Sequence, residues 1–183
     1  MRAGDEAAFT SLYERYYGDV LRYARRRVDE QTARDVAAET FLVAWRRPGQ
    51  VPGAEPLPWL YAVARNTLGN VLRARARDAA LGVRVRAASV AGAPTVQADH
   101  ADAVVQNARV ADALRRLSMR DQEALQLVAW EDLDLTAAAQ VVGCSAATFA
   151  VRLHRARRRL NRLLDGPAVK QSPVNRTLER EPK

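Results

Sequence analysis

Apolar residues recur every three or four positions along most of this chain, which is the spacing of one face of an α-helix. The clearest case lies within residues 145–164. There the apolar stripe consists of Phe149, Leu153, Ala156, Leu160 and Leu163. The other faces carry six arginines and His154, with no acidic residue before Asp165. The pattern predicts a long helix with one buried stripe and basic outer faces.

A second, shorter helix is predicted at residues 136–142, directly before the basic one. Asp134 precedes it as an N-cap, Gly143 permits the left-handed backbone of a helix end, and Ser145 caps the next start. A short helix, a glycine corner and a long helix form the pattern of a helix-turn-helix, whose second helix reads the major groove. A merely solvated face is the alternative, but such faces usually mix charges, so the all-basic faces favour a polyanionic partner.

Three further amphipathic helices are predicted in the first part of the chain. The first follows Asp5, a candidate N-cap, and continues to about Arg27. The second begins near Glu30 or Thr32 and ends before Pro48; the third covers residues 58–78. A loop with four prolines separates the last two. Because each helix needs a partner for its apolar face, we expect one helical bundle over residues 5–78.

The helical pattern is absent at residues 79–102, which predicts a flexible linker. It resumes near Ala103, and Ser118 with Asp121 resembles a capping box that opens a helix ending at Trp130. Residues 103–165 are therefore predicted to form a second helical domain. Residues 166–183 contain three prolines and no stripe, which predicts a mobile tail. The predicted fold is all-α, with two small helical domains joined by a flexible linker.

The net charge of +8 over 183 residues makes nucleic acid the first candidate partner and an anionic membrane surface the second. No apolar run approaches membrane-spanning length and no secretory signal is present, so we expect no membrane insertion and a cytoplasmic location. Cys144 is the only cysteine, which excludes an internal disulfide, and with His100 and His154 it gives no metal-ligand spacing. Without a phosphate-binding glycine loop or a nucleophile motif, neither an enzyme nor a cofactor is expected.

Three stretches, in order, resemble one protein family. They are ARDVAAETFLVAWRR from residue 33, PWLYAVARNTLGNVLRARAR from residue 58, and the region from Leu114 to Leu164 that ends in the helix-turn-helix. Together they resemble the sigma-2 and sigma-4 domains of bacterial RNA polymerase sigma factors of the extracytoplasmic-function (ECF) group in the sigma-70 family. The resemblance implies a protein that binds core RNA polymerase, directs it to promoter DNA and helps to open the duplex. It also adds an anti-sigma factor as a candidate partner.

The resemblance also implies roles for individual residues. Those matching the polymerase-clamp motif and expected at the surface are Asp35, Glu39 and Leu42. Those matching the helix that faces the minus-ten element are Arg65, Asn66, Asn70 and Arg73. Those at the front of the recognition helix, facing the minus-thirty-five element, are Ser145, Ala147, Thr148, Ala150, Val151, Arg152 and Arg155. The proline-rich loop matches the family's pocket for a flipped minus-ten base.

Four of the chain's departures from the family pattern change the polarity or charge of a motif position. Ala150 and Val151 stand where Lys and Ser are common, Asn70 replaces an acid, and Ala38 replaces a Gln. Ala150 and Val151 cannot donate side-chain hydrogen bonds, which favours apolar contact with a thymine methyl or weaker base reading. Two other functions fit parts of the pattern: a stand-alone helix-turn-helix regulator, and an adaptor that binds only proteins.

Overall fold

The computed structural model describes residues 3–82 and 101–165, with side chains for residues 6–78 and 108–165. Within these ranges the chain forms helices and no strand. The helices are α1 (Ala3–Arg25), α2 (Glu30–Arg46), α3 (Pro56–Gly82), α4 (Ala101–Arg115), α5 (Met119–Ala129), α6 (Leu135–Val142) and α7 (Ala146–Leu164), with a 3-10 turn at Pro48–Gln50. Most of the predicted linker, residues 79–102, and the predicted tail, residues 166–183, lie outside the described residues.

Two predicted helix boundaries differ from the structure by more than two residues. Asp5 does not cap α1, because the helix already begins at Ala3. The third helix continues past Asp78 to Gly82, into the predicted linker. The added residues are Ala, Ala, Leu and Gly, and the first three are good helix formers that let the helix continue until glycine weakens it.

Helices α1, α2 and α3 form the N-terminal bundle, as predicted. Val20, Ala24, Val36 and Leu60 are almost completely buried at its centre. Five aromatic rings of α1 and α2 pack together at one end of the bundle, in edge-to-face, stacked and tilted contacts. They are Phe9, Tyr13, Tyr17, Phe41 and Trp45. Asp29 caps α2, and hydrogen bonds from the Thr32 backbone and side chain hold the pKa of its carboxyl well below the usual range.

Helices α4 to α7 form the C-terminal unit, and its three predicted N-caps are confirmed. The side chains of Ser118, Asp134 and Ser145 each accept a hydrogen bond from the backbone N–H three residues later. Gly143 ends α6 at a φ of +72°, a left-handed conformation that favours glycine. The axes of α6 and α7 then meet at 96°, within the range of helix-turn-helix corners.

The apolar stripe of α7 fixes that helix to the rest of its unit. Phe149 and Ala156 are fully buried and Leu153 nearly so, which confirms the predicted face. An ion pair reinforces the contact, since Arg159 Nη1 lies 2.5 Å from Oδ2 of the buried Asp121. Asp121 was predicted to complete a capping box with Ser118; its carboxylate instead accepts from Arg159.

The two units pack directly against each other. Helix α6 contacts α3, and the buried apolar residues of both units belong to one continuous cluster. Tyr23 of α1 and Tyr61 of α3 are buried with their rings stacked 4.9 Å apart. Burial raises the pKa of Tyr23 to about 12, so its hydroxyl stays protonated at neutral pH. The stacked pair therefore joins α1 to α3 within the bundle.

Replacing Phe149 by Ala should destabilise the fold strongly, because its side chain is fully buried and its removal leaves a cavity. The expected loss of unfolding free energy is about 3–5 kcal/mol, measured by urea denaturation followed by circular dichroism. The matched variant is Val151→Ala, two residues along the same helix but 51% exposed. Its effect should stay within about 0.5 kcal/mol. Equal losses in the two variants would contradict the docking of α7 described here.

Candidate nucleic-acid interface

The outer face at the start of α7 combines hydroxyl, methyl and guanidinium groups. Most of the residues predicted for this face are exposed, namely Ser145, Ala147, Thr148, Val151 and Arg155. Ala150 and Arg152 are half-buried. The hydroxyls of Ser145 and Thr148 lie 2.9 Å apart, and the Ser145 hydroxyl also accepts from the Thr148 N–H as the helix cap. The face therefore offers small polar and apolar groups near the helix N-terminus and cations one to two turns later.

The later arginines of α7 divide into two groups. Arg157, Arg158 and Arg162 are exposed, whereas Arg159 is held by Asp121 in the ion pair described above. The basic surface of α7 is thus partly structural. Periodicity alone gives no sign of this pair, because its two residues lie 38 positions apart.

The polar face of α3 carries the residues predicted for the minus-ten element. Asn66, Asn70 and Arg73 are exposed, and Arg73 Nη2 donates to Asn70 Oδ1 at 2.7 Å. Arg65 differs from them, since its Nε and Nη2 donate to the two carboxylate oxygens of Glu123 at 2.6 and 3.1 Å. This fork raises the pKa of Arg65 above its ordinary value. Three of the four residues are therefore on open surface, and the fourth is engaged by the C-terminal unit.

A basic cleft of about 400 Å³ lies where α1, α3 and α5 meet. Its lining includes the five arginines Arg26, Arg27, Arg65, Arg73 and Arg120. Glu123 is the acidic residue of this lining. Sequence reasoning missed Arg26, Arg27 and Arg120 as parts of one site. The run of three arginines at residues 25–27 was a signal, because so much like charge at a helix end requires nearby carboxylates or a bound anion.

The outer face of α2 combines acidic and apolar groups. Asp35, Glu39 and Leu42 are all exposed and lie at helical spacing on one face, with Leu42 38% exposed. Gln31 Nε2 donates to Asp35 Oδ1 at 3.2 Å, which orients that carboxylate. A shallow groove of about 500 Å³ runs beside Leu42, and its apolar lining includes Phe9, Tyr13, Ala38, Phe41 and Trp45. This surface has the composition of a protein-binding face, with an apolar centre and charged edges.

The proline-rich loop closes an apolar cavity of about 450 Å³ at the ends of α1 and α2. Phe9, Leu12, Trp45 and Val51 form much of its wall, together with Pro48, Pro52 and Pro56. Prolines restrict the backbone of this loop, so the cavity keeps its walls without regular secondary structure.

The described part of the chain holds neither a metal-binding cluster nor a single membrane-spanning helix. Residues 3–82 and 101–165 contain no group of three or more His, Cys, Asp and Glu side chains placed to hold a metal ion. In the same ranges no single helix is long and apolar enough to cross a membrane. Helices α6 and α7 meet that criterion only as a bent pair. Cys144, in the corner between these two helices, is half-buried.

Two family models match the chain, one in each half. Sigma-70 region 2 matches residues 12–78 and Sigma-70 region 4 matches residues 107–160. The first match covers most of the N-terminal bundle, from Leu12 on α1 to Asp78 on α3. The second covers the helix-turn-helix and the helices that support it.

Curated relatives resemble the chain over most of its length. The ECF RNA polymerase sigma factor BldN of Streptomyces coelicolor is 32% identical over 91% of this chain, which spans 64% of the length of BldN. The ECF RNA polymerase sigma factor SigL of Mycobacterium tuberculosis is 32% identical over 86% of this chain and 89% of SigL.

Two solved structures share the fold. The sigma factor RpoE of Bartonella quintana, in complex with the anti-sigma factor NepR, has a TM-score of 0.66 at 25% identity, over 88% of this chain and 99% of RpoE. CnrH, in complex with the cytosolic domain of CnrY, has a TM-score of 0.59 at 26% identity, over 89% of this chain and 91% of CnrH. Both family models, the relatives and the fold agree, and the chain belongs to the ECF RNA polymerase sigma factors, which act in transcription initiation.

Proposed function

We propose that this chain acts in the cytoplasm as a promoter-specificity subunit, which binds core RNA polymerase through α2 and promoter DNA through α3 and α7. One observation carries the proposal: three outward helix faces of one chain present three different chemistries. The face of α2 carries acidic and apolar side chains, and the face of α3 carries amide and guanidinium groups. The face of α7 carries small side chains in its first turn and cationic side chains after it. A sigma factor needs such a division, because it binds a protein, a melted strand and a duplex. The chain is proposed to carry out no chemical reaction itself.

On α2, Asp35, Glu39 and Leu42 are the proposed polymerase contacts. Leu42 and the groove beside it supply apolar area, and the two carboxylates supply charge that selects a basic partner surface. Phe41 is almost completely buried and therefore supports the helix from behind.

On α3, Asn66, Asn70, Arg73 and Arg65 are the proposed contacts to the minus-ten element. Amide side chains can form hydrogen bonds with exposed base edges. Arginines can bind the phosphates in the backbone of a melted strand. The apolar cavity beside the proline-rich loop is the proposed place for an extruded base. Unstacking a base costs a few kcal/mol, which burial in such a cavity and backbone contacts together offset.

On α7, the exposed start of the helix is proposed to lie in the major groove of the minus-thirty-five element. Arg152 and Arg155 are the residues of this set that can donate two hydrogen bonds to one guanine, whereas Ala150 and Val151 offer apolar contact to thymine methyl groups. Base readout by this chain should therefore depend on few hydrogen bonds. The remaining exposed arginines of α7 add affinity through phosphates without selecting sequence.

An anti-sigma factor is the proposed regulator. RpoE of Bartonella quintana was solved bound to an anti-sigma factor, and this chain shares its fold over 88% of its length. The exposed apolar groove on α2 is a surface that such a protein would cover, since covering it would also block polymerase.

Reversing the charge of the α2 face should weaken polymerase binding. The double variant Asp35→Lys/Glu39→Lys replaces two carboxylates by two cations, which face the proposed basic surface of the polymerase. Like charges that meet at an interface cost several kcal/mol of binding free energy. We expect a loss of at least about tenfold in affinity for core polymerase, measured by co-purification and fluorescence anisotropy.

The control for this variant is Glu14→Lys, a charge reversal at an exposed position on the outward side of α1. It should bind polymerase as the parent does. If the double variant also binds normally, α2 is not the polymerase contact.

Arg155→Ala should reduce promoter discrimination. Loss of one bidentate contact to guanine costs about 1–3 kcal/mol, which corresponds to roughly 5- to 150-fold in selectivity. The measurement is in vitro transcription by core polymerase plus this chain on a cognate promoter, which is first identified by sequencing the transcripts, and on single-base variants of its minus-thirty-five element.

Arg116→Ala removes the same charge from an exposed position at the end of α4 and should leave the selectivity unchanged. Polymerase binding should persist in both variants. Unchanged selectivity for Arg155→Ala would show that this residue does not read bases.

A further inference from the structure

The five arginines of the basic cleft differ in whether a carboxylate neutralises them. Glu131 lies just after α5 with its side chain 1% exposed, and it places Oε2 2.9 Å from Arg26 Nη1 and Oε1 3.5 Å from Arg27 Nη1. Glu123 accepts the forked hydrogen bonds of Arg65. Three of the arginines therefore share two carboxylates, and both carboxylates come from the C-terminal unit.

The other two arginines of the cleft have no carboxylate partner among the described residues. Arg73 donates to the neutral side-chain amide of Asn70, and Arg120 forms no ion pair within the same part of the chain. Both side chains are exposed, and they come from different helices, since Arg73 belongs to α3 and Arg120 to α5. Cations that line one concavity without counter-charges favour a bound anion.

The interior of the cleft also lacks hydrogen-bond acceptors. Tyr23 and Arg27 both line it, and the Tyr23 hydroxyl and Arg27 Nη2 are buried with no partner among the described residues. The Arg27 guanidinium lies 3.6 Å from the centre of the Tyr23 ring, so the two side chains form one stacked pair. Because a buried donor without an acceptor is unfavourable, this side of the cleft favours a ligand that brings acceptor oxygens.

Part of the lining is apolar or carries amides. Leu72 is half-buried, and Met119 at the start of α5 is 75% exposed. A methionine sulfur makes favourable contacts with aromatic rings, so the pair offers a surface for a flat base. The amides of Asn66 and Gln126 lie in the same lining and can form hydrogen bonds with the edge of a base. The volume of about 400 Å³ lies within the range of small-molecule sites.

We propose that the basic cleft binds a nucleoside polyphosphate, with its phosphates on the arginines and its base against Leu72 and Met119. Guanidinium groups bind phosphate oxygens through forked, charge-assisted hydrogen bonds. The cleft favours this small ligand over an extended strand, because its cations come from three helices and surround one concave volume. Arg65, Asn66 and Arg73 also belong to the proposed minus-ten face. The ligand and the melted strand therefore exclude each other, a consequence that rests on the proposed function, whereas the ligand site itself does not.

The first measurement is calorimetric titration of the full chain with GTP, ATP, the matching monophosphates and inorganic triphosphate. We expect one site per chain and a dissociation constant in the micromolar range for at least one triphosphate. The matching monophosphate should bind at least about tenfold more weakly, because it brings fewer oxygens to the arginines. Inorganic triphosphate should also bind several-fold more weakly, because it has no base. Equal affinity for inorganic triphosphate would overturn the nucleoside assignment, and the absence of saturable binding by either nucleoside triphosphate would overturn the site.

Arg120→Ala removes a proposed phosphate contact that is exposed and lies outside the residues assigned to promoter DNA. It should weaken binding of the nucleoside triphosphate by about tenfold. The matched control is Arg116→Ala, which removes the same charge from an exposed position outside the lining and should bind as the parent does. Equal weakening in both variants would show attraction by the net charge alone and overturn the site. Met119→Ala should weaken binding of the nucleoside triphosphate but not of inorganic triphosphate, and equal effects on the two would contradict the position of the base.

A competition experiment separates this site from the proposed function of α3. An unstructured single-stranded DNA oligonucleotide should displace a fluorescently labelled nucleoside triphosphate from the parent chain, because both ligands need Arg65 and Arg73. If the nucleotide binds in an Arg120-dependent manner and the oligonucleotide does not displace it, the assignment of α3 to the melted strand is overturned and the nucleotide site stands. If the oligonucleotide alone binds, and its binding depends on Arg120, the cleft belongs to a path for DNA and the nucleotide proposal is overturned.

Discussion

The ion pairs of Glu131 with Arg26 and Arg27 are the interaction on which the arrangement of the two halves depends. A carboxylate that is 1% exposed is tolerable only when cations and hydrogen bonds replace its lost hydration. Those cations come from the other half of the chain, more than a hundred positions away. The packing of α6 against α3 then extends the apolar core across the boundary. Removing either side of the pair would leave a buried charge that only separation of the halves could hydrate.

The helices and their caps could be predicted from the sequence because they depend on neighbours a few residues away. Ser118, Asp134 and Ser145 cap the helices expected of them, and Gly143 turns the corner in the left-handed conformation. The buried face of α7 could be predicted from the spacing of its apolar residues, because only one face of that helix packs against the core. Asp5 was misplaced as a cap because α1 already begins at Ala3, two residues before it.

What could not be predicted lies at the boundary between the halves. Tyr23 and Tyr61 are buried against each other between α1 and α3, and the spacing of apolar residues along either helix does not indicate that the two rings meet. Periodicity reports that a residue is apolar and on a given face, but not which distant element covers that face. The same limit applies to Arg65, whose place in a DNA-contacting motif gave no indication that Glu123 holds it. The assignment of surface residues to polymerase and promoter remains a proposal that the geometry supports by leaving most of them exposed.

The boundary also contains two polar atoms that find no hydrogen-bond partner among the described residues: the hydroxyl of Tyr23 and Nη2 of Arg27. Each buried, unsatisfied group costs about 1–3 kcal/mol relative to a hydrated one. This penalty offsets part of what the ion pairs contribute to the contact between the halves. The two unsatisfied groups at Tyr23 and Arg27 thus weaken the same junction that Glu131 strengthens.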